Sequence, residues 1–396
     1  MNMGEMLKFE EALRIVTDSA FITGTGEIDF TSACGRVLSE DIVSDIDIPP
    51  FNRSAVDGYA CRKDELTSDL EVAGVIAAGM EPLPPPGRNQ CFKIMTGGVV
   101  PEECDMVFMV EDAEVLSSGK VRFRGFSLKN NISLKGEDIK AGSTVLPAGR
   151  NIEPQDIAVM ASAGCTRVKV REKPLLAVIS SGDELVEPSE KPAPGQIRDS
   201  NSYQLVAQAL RAGASPRFYG IARDNENETF ELLSRAISEN DIVIITGGVS
   251  VGDYDFVPSV MEKAGVTILF SSIAVQPGKP TTFGLHPEAL IFGLPGNPVS
   301  SFIQFEVLVR PLIDVMTGSN RRPAEMTMRM GGDYSRRSAD RMGWHPVIIE
   351  PEGYILPLEY HGSAHISSLT GADGIMRIPE GVYRLEKGAI VHVRRI

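Results

Sequence analysis

Beyond Lys173, short apolar runs alternate with amphipathic stretches at close spacing, and few folds accept that alternation. "PLLAVIS" (174–180) has the length and composition of a buried strand. "SNSYQLVAQALRAGA" (200–214) follows with helical spacing: Tyr203, Val206 and Leu210 share a face, and Ser200 or Asn201 is placed to cap its start. "SPRFYGIA" returns as a strand, and the next helix carries Phe230, Leu233 and Ile237. "DIVIITGG" is a strand and "FVPSVMEKAG" a helix. "TILFSSIAV", "EALIFGLPG" and a long apolar helix from about Val299 to Met316 complete the series. Strands and helices in strict succession predict a parallel, doubly wound sheet covered on both faces. Ligands of such sheets sit beyond the carboxyl ends of the strands, and glycine loops at 182, 247–248 and 293–296 fall at those ends.

The rest of the chain reads differently. Residues 51–135 hold short strand-like runs and a Pro-rich turn, "PLPPPG" (82–87), which suits a small β-rich insert domain. Residues 1–50 supply an amphipathic helix, and 136–172 return to turns and one helix after Pro154, so these two segments form one scaffold unit interrupted by the insert. Residues 173–321 are the α/β unit, and the alternating strands of 322–396 suit a C-terminal β-barrel-like domain. The fold class is therefore α/β plus β, and a chain of 396 residues is long enough for several cores.

Composition narrows the function. A net charge of −14 excludes a chain built mainly to neutralise nucleic acid or an anionic membrane, but not one that holds a phosphorylated small molecule with a cation. Cys34, Cys61, Cys91, Cys104 and Cys165 are odd in number, widely spaced and without C-x-x-C, so inert thiols of a reducing compartment are expected. The first residues lack the regions of a signal peptide, and no apolar run reaches the ~18 residues of a membrane span. The expectation is a cytoplasmic protein with no membrane and no nucleic-acid partner.

Acidic residues gather at the strand ends: Asp183 and Glu184 in "SSGDEL", Asp224 in "GIARD", Asp253 and Asp255 in "TGGVSVGDYD". Each alone is as readily a cap or turn former. Converging on one crevice, they make a hard-oxygen site for Mg²⁺, which lets carboxylates and an anionic ligand share a pocket. Gly247 and Gly248 permit close approach of the backbone to a phosphate, although a tight turn needs glycine for steric reasons alone. This is neither a Walker loop nor G-x-G-x-x-G. "QPGKPTTFG" and "GLPGNPVSS" add Lys279 and Asn297 in stiff Pro/Gly loops, Lys279 being either an anion contact or an ordinary solvent lysine. In the insert, Asn52, Arg53, Ser54 and Asp57 precede a glycine turn, and Thr96 stands in "IMTGG"; both groups line a partner's cleft or are hairpin turns. Trp344 beside His345 reads as packing.

The motifs "PPFNRSAVDGYA", "KIMTGGVVPEECD", "NISLKGEDIKAG", "ISSGDEL", "GIARD", "TGGVSVGDYD", "QPGKPTTFG", "GLPGNPVSS" and "GSAHISSL" occur in that order over nearly the whole chain. In them the chain resembles the molybdopterin molybdenumtransferase family, to which the gephyrin E domain is related. The resemblance implies an elongated four-domain subunit in a homodimer, its third domain similar to the molybdopterin adenylyltransferase fold. It implies insertion of molybdate into adenylylated molybdopterin with Mg²⁺-dependent release of AMP. On that reading Glu184, Asp224 and Asp255 are catalytic and hold Mg²⁺, while Asp57 and Thr96 are catalytic from the second domain and face the other subunit's crevice. Gly247, Gly248, Ser250, Lys279, Pro295, Asn297, Pro298 and Ser363 bind substrate. The molybdopterin adenylyltransferase and apo-molybdoenzymes are the protein partners it implies.

The chain departs from the family where basic residues are usual: at Ser133, at Ser272, at Gln276, and near Pro346. Each charge-assisted hydrogen bond given up in this way costs roughly 1.5–3 kcal/mol unless replaced, and Lys135, Arg341 and Lys279 are placed to compensate. Those departures keep two other readings open. One is a scaffold or delivery relative, and the other a Mg²⁺-dependent nucleotidyl-transfer enzyme without metal insertion.

Overall fold

The computed structural model describes residues 6–126, 128–248, 256–320, 325–359 and 362–396. Helix α1 (Phe9–Asp18) buries Phe9, Ala12 and Val16, three residues one helical turn apart. They enter the core of the α/β unit beside Leu312 and Met316, not the core of the segment after residue 136. Leu38 and Ile42 of the first fifty residues do join that segment, in a separate core with Leu146, Met160, Val168 and Val170. Its helix α2 (Pro154–Ser162) opens with proline at the first turn and a reciprocal cap between Glu153 and Asp156. The insert carries a four-stranded sheet of β1 (Gly58–Cys61), β2 (Glu71–Ile76), β3 (Gln90–Ile94) and β4 (Met106–Met109), ordered β2-β3-β1-β4. Cys61, Cys91 and Cys104 are buried there as free thiols, and burial pushes Cys91 and Cys104 up to about 12, so they are inert.

The α/β unit is a six-stranded sheet of β5 (Leu175–Ser181), β6 (Ser215–Ala222), β7 (Ile242–Thr246), β8 (Thr267–Phe270), β9 (Thr282–Leu285) and β10 (Leu290–Leu294), ordered β6-β5-β7-β10-β9-β8. The first four strands are parallel, as the alternation predicts. Of the last two, β9 is antiparallel to both its neighbours, because β9 and β10 are joined by a tight turn closed by the His286 N–H on the Ala289 carbonyl, too short for a crossover, while β8 runs with the first four. Alternate residues sort cleanly between the two faces. Leu176, Val178 and Ile244 pack with Leu205 and Ala209 of α3 (Asn201–Ala212). Ala177, Ile179, Val243 and Ile245 pack under α4 (Glu226–Glu239) and α5 (Val257–Lys263).

The helix face expected on α3 is corrected. Tyr203 and Leu210 are exposed, and the buried face is Ser202, Leu205, Gln208 and Ala209. Polar residues are tolerated there because their donors are met: Ser202 donates to Asp199, and Gln208 Nε2 donates to Glu306 Oε1 at 2.7 Å, while Gln208 Oε1 is left without a partner among the described residues. In α4, Leu233 and Ile237 are buried and Phe230 is largely exposed.

The long apolar helix is present as α6 (Pro298–Gln304) and α7 (Arg310–Met316), joined by a π-turn over Phe305–Val309. Pro311 has no N–H to return to that turn, which leaves the Glu306 carbonyl free. Arg394 Nη1 donates to it at 2.7 Å. The Glu306 carboxylate, fully buried, accepts from Gln208, Arg211 and Arg310.

Arg394 belongs to a closed five-stranded barrel of β11 (Glu325–Met330), β12 (Met342–Ile349), β13 (Tyr354–Pro357), β14 (Gly374–Ile378) and β15 (Ile390–Arg395). The β12–β14 pairing closes the cylinder, and the short strand Val275–Gln276 of the α/β unit adds to β12 at Met342 and Gly343. Trp344 is core, as expected, edge-on to Phe9 with ring centroids 5.5 Å apart. Among the described residues no helix is long and apolar enough to cross a membrane.

Candidate functional site

The parallel strands end together, and their extensions line one crevice of about 520 Å³. β5 contributes Ser180, Ser181 and, past Gly182, Glu184; β6 leads to Asp224; β7 gives Thr246, Gly247 and Gly248; and β10 leads into Pro295–Pro298. Seven residues expected at a site therefore meet here: Glu184, Asp224, Gly247, Gly248, Pro295, Asn297 and Pro298. The glycines are required sterically. Gly247 has φ +96°, and a side chain there would run into the Ser181 carbonyl; Gly248 has φ +62°.

Other expected residues stand apart from this lining. Lys279 is exposed on the loop whose next residue, Pro280, lines the crevice. The Ser363 carbonyl accepts the Val299 N–H at 3.0 Å, which seats Ala364 and Ile366 against the crevice. Asp57 and Thr96 lie in the insert, outside the crevice lining, and are paired: Asp57 Oδ1 accepts both the backbone N–H and the hydroxyl of Thr96 at 2.7 Å. Those two bonds hold the Asp57 carboxyl below its usual value. Asp253, Asp255 and Ser250 lie outside the described residues.

The floor of the crevice is made of residues that sequence reasoning passed over. Asp199 is buried and accepts from Ser180 Oγ at 2.9 Å, from the Ser202 hydroxyl, and from the Ser202 N–H at 3.2 Å. Asn201 Nδ2 donates to the Gly296 carbonyl at 2.7 Å and to Thr246 Oγ1 at 3.2 Å, and Thr246 donates to the Pro295 carbonyl. These bonds tie the start of α3 to the end of β7 and to the Pro295–Asn297 loop. The signal was the Asp-Ser-Asn run at 199–201, which reads locally only as a helix cap.

Two hard-oxygen donors face this crevice. Glu184 and Asp224 are exposed carboxylates on its wall without an ion pair among the described residues. No cluster of three or more potential metal ligands occurs among the described residues. Mg²⁺ keeps several waters and commonly takes only one or two carboxylates plus phosphate oxygens, so this pair fits that chemistry.

A second cavity of about 550 Å³ lies between the Gln276–Pro277 corner and the barrel. Arg336 and Arg337 line it with Tyr334 and His345, and no Asp or Glu among the described residues does. The Arg336 guanidinium is held by three carbonyls, those of Val382, Arg341 and Pro379, at 2.7–2.8 Å. His345 Nε2 is 3.0 Å from the Leu358 carbonyl and Nδ1 3.2 Å from the Tyr334 hydroxyl; burial lowers its pKa, so it is neutral near pH 7. Of the cations expected to compensate for missing charges, Lys135 is 3.6 Å from Asp47, and Arg341 Nη1 donates to the Val275 carbonyl.

A strand-end crevice in a doubly wound unit, with a β-rich insert and a closing barrel, defines a multidomain protein built to take a small molecule. The MoeA N-terminal region (domain I and II) matches residues 7–164, the probable molybdopterin binding domain 177–315, and the MoeA C-terminal region (domain IV) 332–395. The chain is 32% identical to the molybdopterin molybdenumtransferase of Staphylococcus epidermidis, over 98% of this chain and 95% of that one. It is 33% identical to that of Bacillus subtilis, over 97% and 93%. The crystal structure of the molybdopterin biosynthesis MoeA protein of Pyrococcus horikoshii superposes with a TM-score of 0.87 at 30% identity, covering 99% of this chain and all of that one. The chain belongs to the molybdopterin molybdenumtransferase family.

Proposed function

We infer that the chain is a molybdopterin molybdenumtransferase, a transferase of molybdenum cofactor biosynthesis whose substrates are molybdate and adenylylated molybdopterin. The observation that carries this is full-length likeness at 32–33% identity to enzymes of that name, together with the strand-end crevice. The phosphoanhydride of the substrate lies in the crevice, where Glu184 and Asp224, with Asp255, hold Mg²⁺. That ion supplies neutralisation of the charge developing on the phosphates. Asn201 and Thr246 keep the Pro295–Asn297 loop and the glycine pair in register. The dithiolene sulfurs themselves displace oxygens from molybdenum, so no protein nucleophile is required. The cavity with Arg336 and Arg337 and no acid suits the incoming oxyanion, which offsets the absence of lysine at Gln276.

The enzyme works as a cytoplasmic homodimer, in which the Asp57–Thr96 pair of one subunit faces the crevice of the other. Supporting this, both residues lie outside the crevice lining of their own chain and are already oriented by their mutual hydrogen bonds. The adenylyltransferase that makes the substrate and the apo-molybdoenzymes that take the product are its protein partners.

The test gives purified protein adenylylated molybdopterin, Mg²⁺ and molybdate. AMP release, with cofactor that activates an apo-molybdoenzyme, is expected. AMP without incorporated molybdenum would turn the reading to nucleotidyl transfer, and neither product to a scaffold.

A further inference from the structure

One hydroxyl in the crevice has no use in the folded chain. β5 ends in two serines whose side chains point to opposite faces of the sheet. Ser180 Oγ donates to Asp199 at 2.9 Å. Ser181 is 3% exposed, lines the crevice, and its Oγ has no hydrogen-bond partner among the described residues. A buried hydroxyl without a partner is a standing cost to the fold, retained where it serves something outside the fold. Its surroundings explain why no protein atom meets it. Gly247 and Gly248 pass directly over this residue, and a methyl group at Gly248 would still stand 3.7 Å from Ser181 Oγ. Thr246, beside Ser180 in the adjoining strand, has its hydroxyl committed to Pro295 and Asn201. Ser181 is thus a donor left unspent beneath the glycine pair, in the same crevice as Glu184 and Asp224.

We propose that Ser181 is a substrate-contact residue, its Oγ–H donating to a phosphate oxygen of the nucleotide end of the substrate. This rests on the reading of the crevice as the phosphoanhydride site and adds a residue to it. A phosphate is the acceptor that fits. Glycine at both positions above the hydroxyl lets an oxygen come close, and the carboxylates at the rim demand a ligand that brings its own cation.

The experiment measures AMP binding with Mg²⁺ by calorimetry, with the full-length chain and two variants. Ser181→Ala is expected to weaken AMP roughly tenfold or more, the worth of a hydrogen bond to a charged oxygen. Its thermal midpoint without ligand is expected to stay level or rise, because the residue removed was unpartnered. Ser181→Cys, similar in size but a weak donor, is expected to fall between. Equal AMP affinity in Ser181→Ala and the unaltered chain overturns the proposal. So does a ligand-free midpoint several degrees lower, which would mark the hydroxyl as structural. Absence of AMP binding by the unaltered chain overturns the nucleotide reading of the crevice as well, which separates the two failures.

Discussion

Two cavities among the described residues are almost equal in size and opposite in character. Among the described residues, the strand-end crevice, about 520 Å³, is lined by Glu184, Asp199 and Asp224 with Arg198 as its one cation, whereas the cavity beside the barrel, about 550 Å³, has two arginines and no acid. Neither could do the other's work. Three carboxylates repel a naked oxyanion, and a cavity without carboxylates has nothing to hold a hard cation. The reaction inferred here needs both, an activated phosphate on one side and a molybdenum oxyanion on the other. The loop from Gln276 to Pro280 and the segment from Gly362 to Ile366 touch both cavities, so the contrast is built across one short stretch of surface.

The largest expected effect tests the acidic side. Glu184→Gln combined with Asp224→Asn should lower AMP release by roughly a hundredfold or more, on the scale of removing a transition-state charge partner. Both residues are exposed, so the fold should be unaffected. Tungstate binding, read by calorimetry, should be unchanged, and a parallel loss of it would erase the distinction between the cavities.

The next effect falls on the joint between them. Glu306→Ala removes the buried carboxylate that receives Gln208, Arg211 and Arg310, while its carbonyl still faces Arg394. Breaking such a pair usually costs ~3–5 kcal/mol, and about 3 kcal/mol is expected here because Arg211 keeps access to water. Denaturant unfolding would show it as a lower midpoint, and both AMP and tungstate binding should weaken together. Loss at only one cavity would mean that the barrel is positioned by other contacts.

On the basic side the expectation is smaller. Arg337 lines the cavity from an exposed position, so Arg337→Ala should weaken tungstate binding roughly tenfold, within the range of one charge-assisted hydrogen bond. AMP binding should not change. An unchanged tungstate affinity would remove the arginine cavity from the reading and return attention to Lys279.

The acidic crevice was largely legible in the sequence, and the basic cavity was not. Strands that end in glycine and acid announce themselves, because a continuous apolar run stops at a residue type only a turn accepts; Ile245, Thr246 and Gly247 are the plainest case. The arginine cavity is made where β12, at Met342 and Gly343, meets the two-residue strand Val275–Gln276, and no local pattern records such a meeting. The same reason hid Asn201 and Asp199, whose polar partners lie on other elements. It also misled the reading of α3, where Gln208 is inside because Glu306 waits for it and Leu210 is outside. Asp57 and Thr96 were linked only by resemblance to a family, since 39 residues separate them. Their direct contact in the fold gives that carried-over pairing a physical basis, though no part in either cavity of the same chain.

That pair supplies the smallest effect. Thr96→Val keeps the backbone N–H on Asp57 but removes the hydroxyl, the lesser of the two hydrogen bonds that depress the Asp57 pKa. Asp57 should therefore titrate higher than in the unaltered chain and remain below its ordinary value. The sign for stability follows from linkage: a carboxyl depressed in the folded state favours folding at pH above its unfolded value, about 3.9, and loses that contribution as pH falls through the folded value. The variant should lose its smaller contribution at a slightly higher pH, read directly by carbon NMR titration of the Asp57 carboxyl. AMP and tungstate affinities of the isolated subunit should not move, because Asp57 lines neither of its cavities. A change in AMP release that appears only at concentrations where two chains associate would place Asp57 at a neighbour's crevice, and release that stays unchanged at every concentration would leave the pair as a turn-former of the insert.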